Sequence, residues 1–223
     1  LADRDYNPWE QGTFWGKFRA RQPFLRGRSI RWITGLEGDD LADMETRHFV
    51  VESFDGPTPD GKYTLVAKDV LKLVDGDRAL APAASTGFLV TGIASGDSSA
   101  TLSPSGVGNL EYAASGYLAF GGKEIIAFTR SGDTLTLTAR GQLGGGVAQA
   151  FNAQDRIQTV LRYVSQDPAD IIYDLMVNYA GVPAGFITLT DWQTETATFL
   201  ARLYSAVICE PTSVATLISE LIQ

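Results

Sequence analysis

The sequence predicts an α+β chain, mainly β, in which strands and helices flank an inserted small all-β barrel or sandwich module. Three observations point there. Short β-prone runs separated by glycine turns fill residues 85–159. A well-signalled helix opens at Asp167. Between them and the N-terminal strands, residues 80–88 (LAPAASTGF) change the composition abruptly and read as a linker.

The N-terminal part begins with a polar, aromatic-rich lead, Asp3 to Trp9. Thr13 then caps a short helix carrying Phe14, Trp15, Phe18 and Ala20, stopped near Pro23. Arg28–Gly35 (RSIRWITG) alternates polar and apolar side chains, with Ile30 and Trp32 on one face, which is a strand pattern. An acidic loop follows at 36–45. Arg47–Phe54 is a second strand, Asp55–Gly61 a turn, and Lys62–Ala67 a third strand paired with the second. Val70, Leu71, Leu73 and Val74 suit a short helix that Asp75-Gly76 ends.

Within 85–159 the predicted strands are Phe88–Ile93, Ala100–Ser103, Gly116–Phe120, Lys123–Thr129, Thr134–Arg140 and Arg156–Leu161. Gly121-Gly122 is a two-residue hairpin signal, and Ser131-Gly132-Asp133 joins the next pair. Strands at this spacing imply a small barrel or sandwich. An inserted module also requires its two ends to lie close together.

Asp167 caps the next helix, Pro168 takes its first position, and Asp170 meets the positive end of the dipole. Ile171, Ile172, Leu175, Met176 and Tyr179 form its apolar face, and Gly181 and Pro183 stop it. A shorter helix starts at Asp191, and Arg202–Cys209 is a strand. Thr212 then caps a terminal helix whose stripe is Val214, Leu217, Ile218, Leu221 and Ile222. That helix meets no Gly or Pro stop, and the chain starts at Leu1 without Met. Both features predict a fragment cut from a longer polypeptide.

Composition narrows the function. Of 223 residues, 44% are hydrophobic and 20% charged, which excludes wholesale disorder. One cysteine, Cys209, excludes an internal disulfide. A net charge of −8 lacks the electrostatic footprint of non-specific nucleic-acid binding. No apolar run is long enough for a membrane span, and no signal peptide opens the chain.

Catalytic readings are weak. A Ser-His-Asp or Cys-His site would have to use the single histidine, His48, and no G-x-S-x-G elbow is present. His48 and Cys209 together are too few for a zinc site. Asp39, Asp40, Asp43 and Glu45 lack calcium-loop spacing and read as a solvated acidic loop. Asp75, Asp77 and Arg78 read as a polar helix stop. Arg140-Gly141-Gln142-Leu143-Gly144-Gly145-Gly146 follows a strand but lacks the Lys-Ser/Thr of a phosphate loop, so its glycines serve a tight turn. The expectation is no catalytic residue, no cofactor and no metal.

Several phrases resemble the tail hub (baseplate hub, tail-tip) proteins of bacteriophages and prophages. One is Gly12-Thr13-Phe14-Trp15-Gly16-Lys17-Phe18, followed by Gly27-Arg28-Ser29-Ile30-Arg31. Others are Phe49-Val50-Val51-Glu52 with Leu65–Leu73, and Ser165–Leu175 with Asn178-Tyr179-Ala180-Gly181. Glu210-Pro211-Thr212 before an apolar helix fits as well. The block holding Glu124, Thr129-Arg130 and Arg140-Gly141-Gln142 is similar to a small β module of phage tail sequences.

The resemblance implies a tail-tube-like split β-barrel with flanking helices. Residues 1–84 and 160–223 would form this hub domain, truncated at its C-terminus, with 85–159 inserted. It implies a non-enzymatic virion structural protein that continues the tail tube. The full-length form would be a homotrimer beside tail-tube, distal-tail or tape-measure proteins, located in the virion tail after synthesis in the bacterial cytoplasm. Two other readings stay open: a carbohydrate-binding or surface-adhesion module carried by the β block, and a cell-wall hydrolase, against which the lone histidine argues.

Overall fold

The computed structural model describes residues 18, 21–56, 58, 62–69, 73–74 and 79–223. The aromatic lead, most of the helix expected at 13–20, the core of the helix expected after Asp69, and Asp75, Asp77 and Arg78 lie outside the described residues. Phe18 is helical. The chain divides into two compact units, Leu1–Lys72 and Leu73–Gln223.

The first unit is built on an antiparallel sheet of β1 (Ser29–Thr34), β2 (Glu45–Asp55) and β3 (Thr64–Asp69), in that order. Its register sets Ile30 opposite Phe49 and Trp32 opposite Arg47, so the alternation read in the sequence becomes a face of the sheet. A bulge between Val51 and Ser53 shifts the pairing of β2 with β3. Val51 is buried, whereas every residue of β1 except Ile30 is exposed.

In the second unit, β5 (Phe88–Leu89), β6 (Ser99–Ser103), β7 (Ser115–Phe120), β8 (Glu124–Ser131), β9 (Thr134–Ala139) and β10 (Ile157–Thr159) form one sheet. Its order is β10-β7-β8-β9-β6-β5. The two ends of that order nearly meet. Phe88 bridges Arg156, Leu89 N–H donates to Asp155 O, and Ile157 N–H donates to Gly87 O. The sheet is therefore an almost closed six-stranded barrel. Its interior is filled by Leu89, Leu102, Leu118, Phe120, Ile126, Leu135 and Ile157, each at most 2% exposed. Leu135 points inward while Thr134 and Thr136 are exposed, as the alternation of β9 requires.

A short helix that the sequence does not announce, α1 (Val107–Glu111), covers part of the barrel. Five residues are too few for a 3.6-residue period to show. Its N-terminal N–H groups are satisfied from a distance: the Asp133 carboxylate accepts from Gly106 N at 2.6 Å and Gly108 N at 2.8 Å. Those two bonds hold the Asp133 carboxyl below its ordinary range.

The stretch 80–88, predicted as a linker, is packed into the fold, with Ala81, Pro82, Ser85 and Gly87 buried and Ala83, Ala84 and Thr86 exposed. Leu80–Ala81 forms β4, Ala81 is fully buried, and Ser85 is 2% exposed. Its small side chains serve close packing. Ser85 N–H donates to Gln158 Oε1 at 3.0 Å, Gln158 Nε2 donates to Ala83 O at 2.8 Å, and Arg156 donates to Ser85 O. The strand entering the barrel thus lies beside the strand leaving it.

Beyond the barrel, β11 (Leu161–Gln166) pairs with β12 (Tyr204–Ile208) alone among the described residues. Helix α2 (Pro168–Asp174) starts as predicted: Asp167 accepts from Ala169 N at 2.8 Å with Pro168 at the first position. It continues as a wider π turn, Leu175–Tyr179. Helix α3 (Leu189–Glu195) ends in a similar turn, Thr196–Leu200. The terminal helix α4 spans Val214–Ile222. Its cap is Ser213 rather than Thr212. Thr212 and Ser213 are held as β13, paired with Ala81 and Leu80 of β4, so the helix begins one residue later than the capping pattern implies.

Candidate assembly surface

The buried polar side chains of Ser85, Glu124 and Gln158 are occupied in holding the molecule together. Glu124 is the clearest case. Its side chain has no exposure, and its carboxylate accepts from Arg140 Nε at 2.8 Å and Nη2 at 2.9 Å. It also accepts from Gly141 N at 3.0 Å and Gln149 N at 3.1 Å. Burial pushes its pKa up, but the guanidinium and the two amides outweigh this and leave it below the ordinary glutamate range. Arg140 donates onward to the carbonyls of Ala94, Asp97 and Gln149. The pair pins residues 140–149 against β8.

This pinned stretch contains the glycine loop. Gln142 N–H donates to Ile125 O, and Ile125 N–H donates to Gly145 O. A Cβ at Gly145 would lie 2.3 Å from Ile125, and one at Gly146 would lie 2.4 Å from Lys123 O. The glycines allow close approach of backbone to strand, and these amides are spent within the protein.

The hydroxyls of Tyr112 and Tyr163 are similarly engaged. Tyr112 is pushed up to about 12, chiefly by burial, and donates to Ile157 O at 2.7 Å. Burial raises Tyr163, and Asp174, which accepts from its hydroxyl at 2.6 Å, raises it further. Cys209 is raised by burial and then by Glu210, which keeps the thiol protonated at neutral pH. His48 is half-buried in β2, opposite Arg31. In the acidic loop, Asp39 accepts from Leu36 N, and Glu45 is ion-paired with Arg47. Among the described residues no cluster of three or more His, Cys, Asp or Glu side chains could hold a metal ion. Among them, too, no helix is long and apolar enough to cross a membrane.

What remains unspent lies on the surface. Around β11, β12 and the helices after them, Phe199 is 80% exposed, Ile222 70% and Leu203 65%, with Val164 and Val207 also exposed. A cavity of about 290 Å³ runs between β12 and the helices, lined by Tyr163, Ile171, Leu175, Leu217 and Leu221. A second cleft of about 540 Å³ is lined by Ile172, Trp192, Leu200, Arg202 and Ile222. In the first unit Trp32, Leu36 and Leu41 are each exposed by at least 66%. Apolar surface of this kind, beside sheets that take no further strand among the described residues, is suited to protein contact.

Comparison with protein-family models, with curated proteins and with solved structures finds no match to this chain.

The residues weighed individually in the sequence, His48, Cys209 and the acidic loop, do not come together into a site. The surface around β12 escapes sequence reasoning because exposure of an apolar strand is a tertiary property. The only available signal is the absence of charge from Leu203 to Cys209.

Proposed function

We propose that this chain is a structural assembly component of a phage or prophage tail tip, a hub-like part that continues the tail tube and performs no catalysis. The observation that carries the reading is the set of sheets β1-β2-β3 and β11-β12, which take no further strand among the described residues and are bordered by exposed apolar side chains. Such sheets are completed by neighbours in an assembly. The phrase-level resemblance to tail hub proteins supplies the kind of assembly. The acidic balance, −8 overall, suits a conduit through which DNA slides without adhering. The full-length protein would act as a homotrimer among tail-tube, distal-tail or tape-measure proteins.

The carbohydrate-binding alternative finds less support. In 85–159 the rings of Tyr112, Phe120, Phe128 and Phe151 are buried, and Phe88 and Tyr117 are half-buried. Tyr117 also lies under the Arg162 guanidinium, 5.4 Å from its ring centroid. No such ring is left as a flat exposed platform on this module.

The test is immunogold labelling of purified virions with an antibody raised against this chain. Label confined to the tail end supports the reading. Virions left unlabelled, with specific retention of the chain on a glycan array, would move it to adhesion.

A further inference from the structure

We propose that β12 carries a self-complementary edge through which two copies of this chain pair antiparallel about a two-fold axis. The segment 202–210 reads RLYSAVICE. Centred on Ala206, an antiparallel copy sets Ser205 opposite Val207 and Tyr204 opposite Ile208. It sets Leu203 opposite Cys209, and Arg202 opposite Glu210 of the partner subunit. Both ends of the contact therefore gain an oppositely charged pair, and the aromatic–β-branched pair Tyr204–Ile208 falls inside it.

The structure leaves this edge open. Among the described residues β12 pairs with β11 alone, and Arg202, Leu203, Ser205, Ala206, Val207 and Glu210 are all exposed. The strand has no charge between its two ends to repel another strand, the feature by which exposed edges are usually protected. The charges at its ends complement a second copy of themselves, which selects this occupant over an unrelated strand. Only five of the nine residues in this contact, Tyr204–Ile208, are strand in the structure, so the interface is small and the association is weak and forms at high protein concentration. The contact uses an edge that the tail-tip reading gives to other neighbours, so it belongs to the free chain; virion labelling and self-pairing can each fail alone.

Directly opposed residues of antiparallel strands lie ~4.5–5.5 Å apart at Cα, within disulfide reach. Leu203→Cys should therefore cross-link to the partner's Cys209 on mild oxidation and give a covalent dimer. Val164→Cys, on β11, should not. Light scattering at high concentration should show a reversible dimer. Arg202→Glu or Glu210→Arg should weaken it about fourfold or more, since the axis doubles each exposed pair, and the double swap should restore it. The substituted side chains, Val164, Arg202, Leu203 and Glu210, are all exposed, so the variants keep their fold. A strictly monomeric chain, equal cross-linking of Leu203→Cys and Val164→Cys, or a double swap no better than the singles would overturn the proposal.

Discussion

The barrel of residues 88–159 and the sheets that precede and follow it in the sequence are built from similar strands, yet they differ in closure. In the barrel the last strand returns to the first through Phe88 and Arg156, and seven large side chains reach at most 2% exposure. In β1-β2-β3 and β11-β12 the sheets stay open among the described residues, and Trp32, Val164 and Val207 face solvent. Closure removes the edges and encloses a two-sided set of side chains, whereas an open two- or three-stranded sheet leaves edges and one face unspent. The barrel is self-sufficient, and the open sheets are suited to contact.

The difference can be broken at its strongest point. Glu124→Gln removes the negative partner of Arg140, a side chain only 14% exposed, and leaves a buried cation unpaired. The expected loss is about 3–5 kcal/mol in denaturant unfolding. The same group sets a pH dependence. Its folded pKa lies below the ordinary value of 4.5, so its contribution is complete above that value. It is lost as pH falls through the folded pKa. Barrel stability should therefore fall on acidification below about 4.5, and Glu124→Gln should flatten that part of the profile.

Leu175 is 1% exposed, at the junction of α2 with its π turn. Leu175→Ala should cost about 2–5 kcal/mol, locating a second, smaller core under the open β11-β12 sheet. A loss under about 1 kcal/mol in denaturant unfolding would mean that this core is loose. At the other extreme, Phe199→Ser replaces a ring 80% exposed and should change stability by no more than about 0.5 kcal/mol. The same substitution should raise solubility, which a precipitation assay reads directly.

Most strands were legible because their signals are local. Gly121-Gly122 and Ser131-Gly132-Asp133 mark the β7-β8 and β8-β9 turns, although the first is a three-residue loop that includes Lys123 and not the two-residue hairpin expected, and the Thr/Leu alternation of β9 marks its faces. Asp167-Pro168 marks the start of α2. What stayed hidden depends on distant partners. Glu124 and Arg140 are 16 residues apart and meet only once the hairpin register is set. The α1 amides find Asp133 more than 20 residues away. The small residues at 80–85 look like a linker until β13 and Gln158 close on them. The surface around β12 was legible only as an uncharged strand, because nothing in a sequence says which neighbour covers an edge.

Native-state hydrogen exchange at low protein concentration tests the contrast most directly. The Leu118 and Ile126 amides of the closed barrel should be among the slowest to exchange. Amides of Ser29–Thr34 and Ser205–Val207 should exchange on the order of a hundredfold faster, through local opening. Equal protection across the barrel and the open sheets would contradict the account of a nearly closed barrel more stable than the sheets that precede and follow it in the sequence.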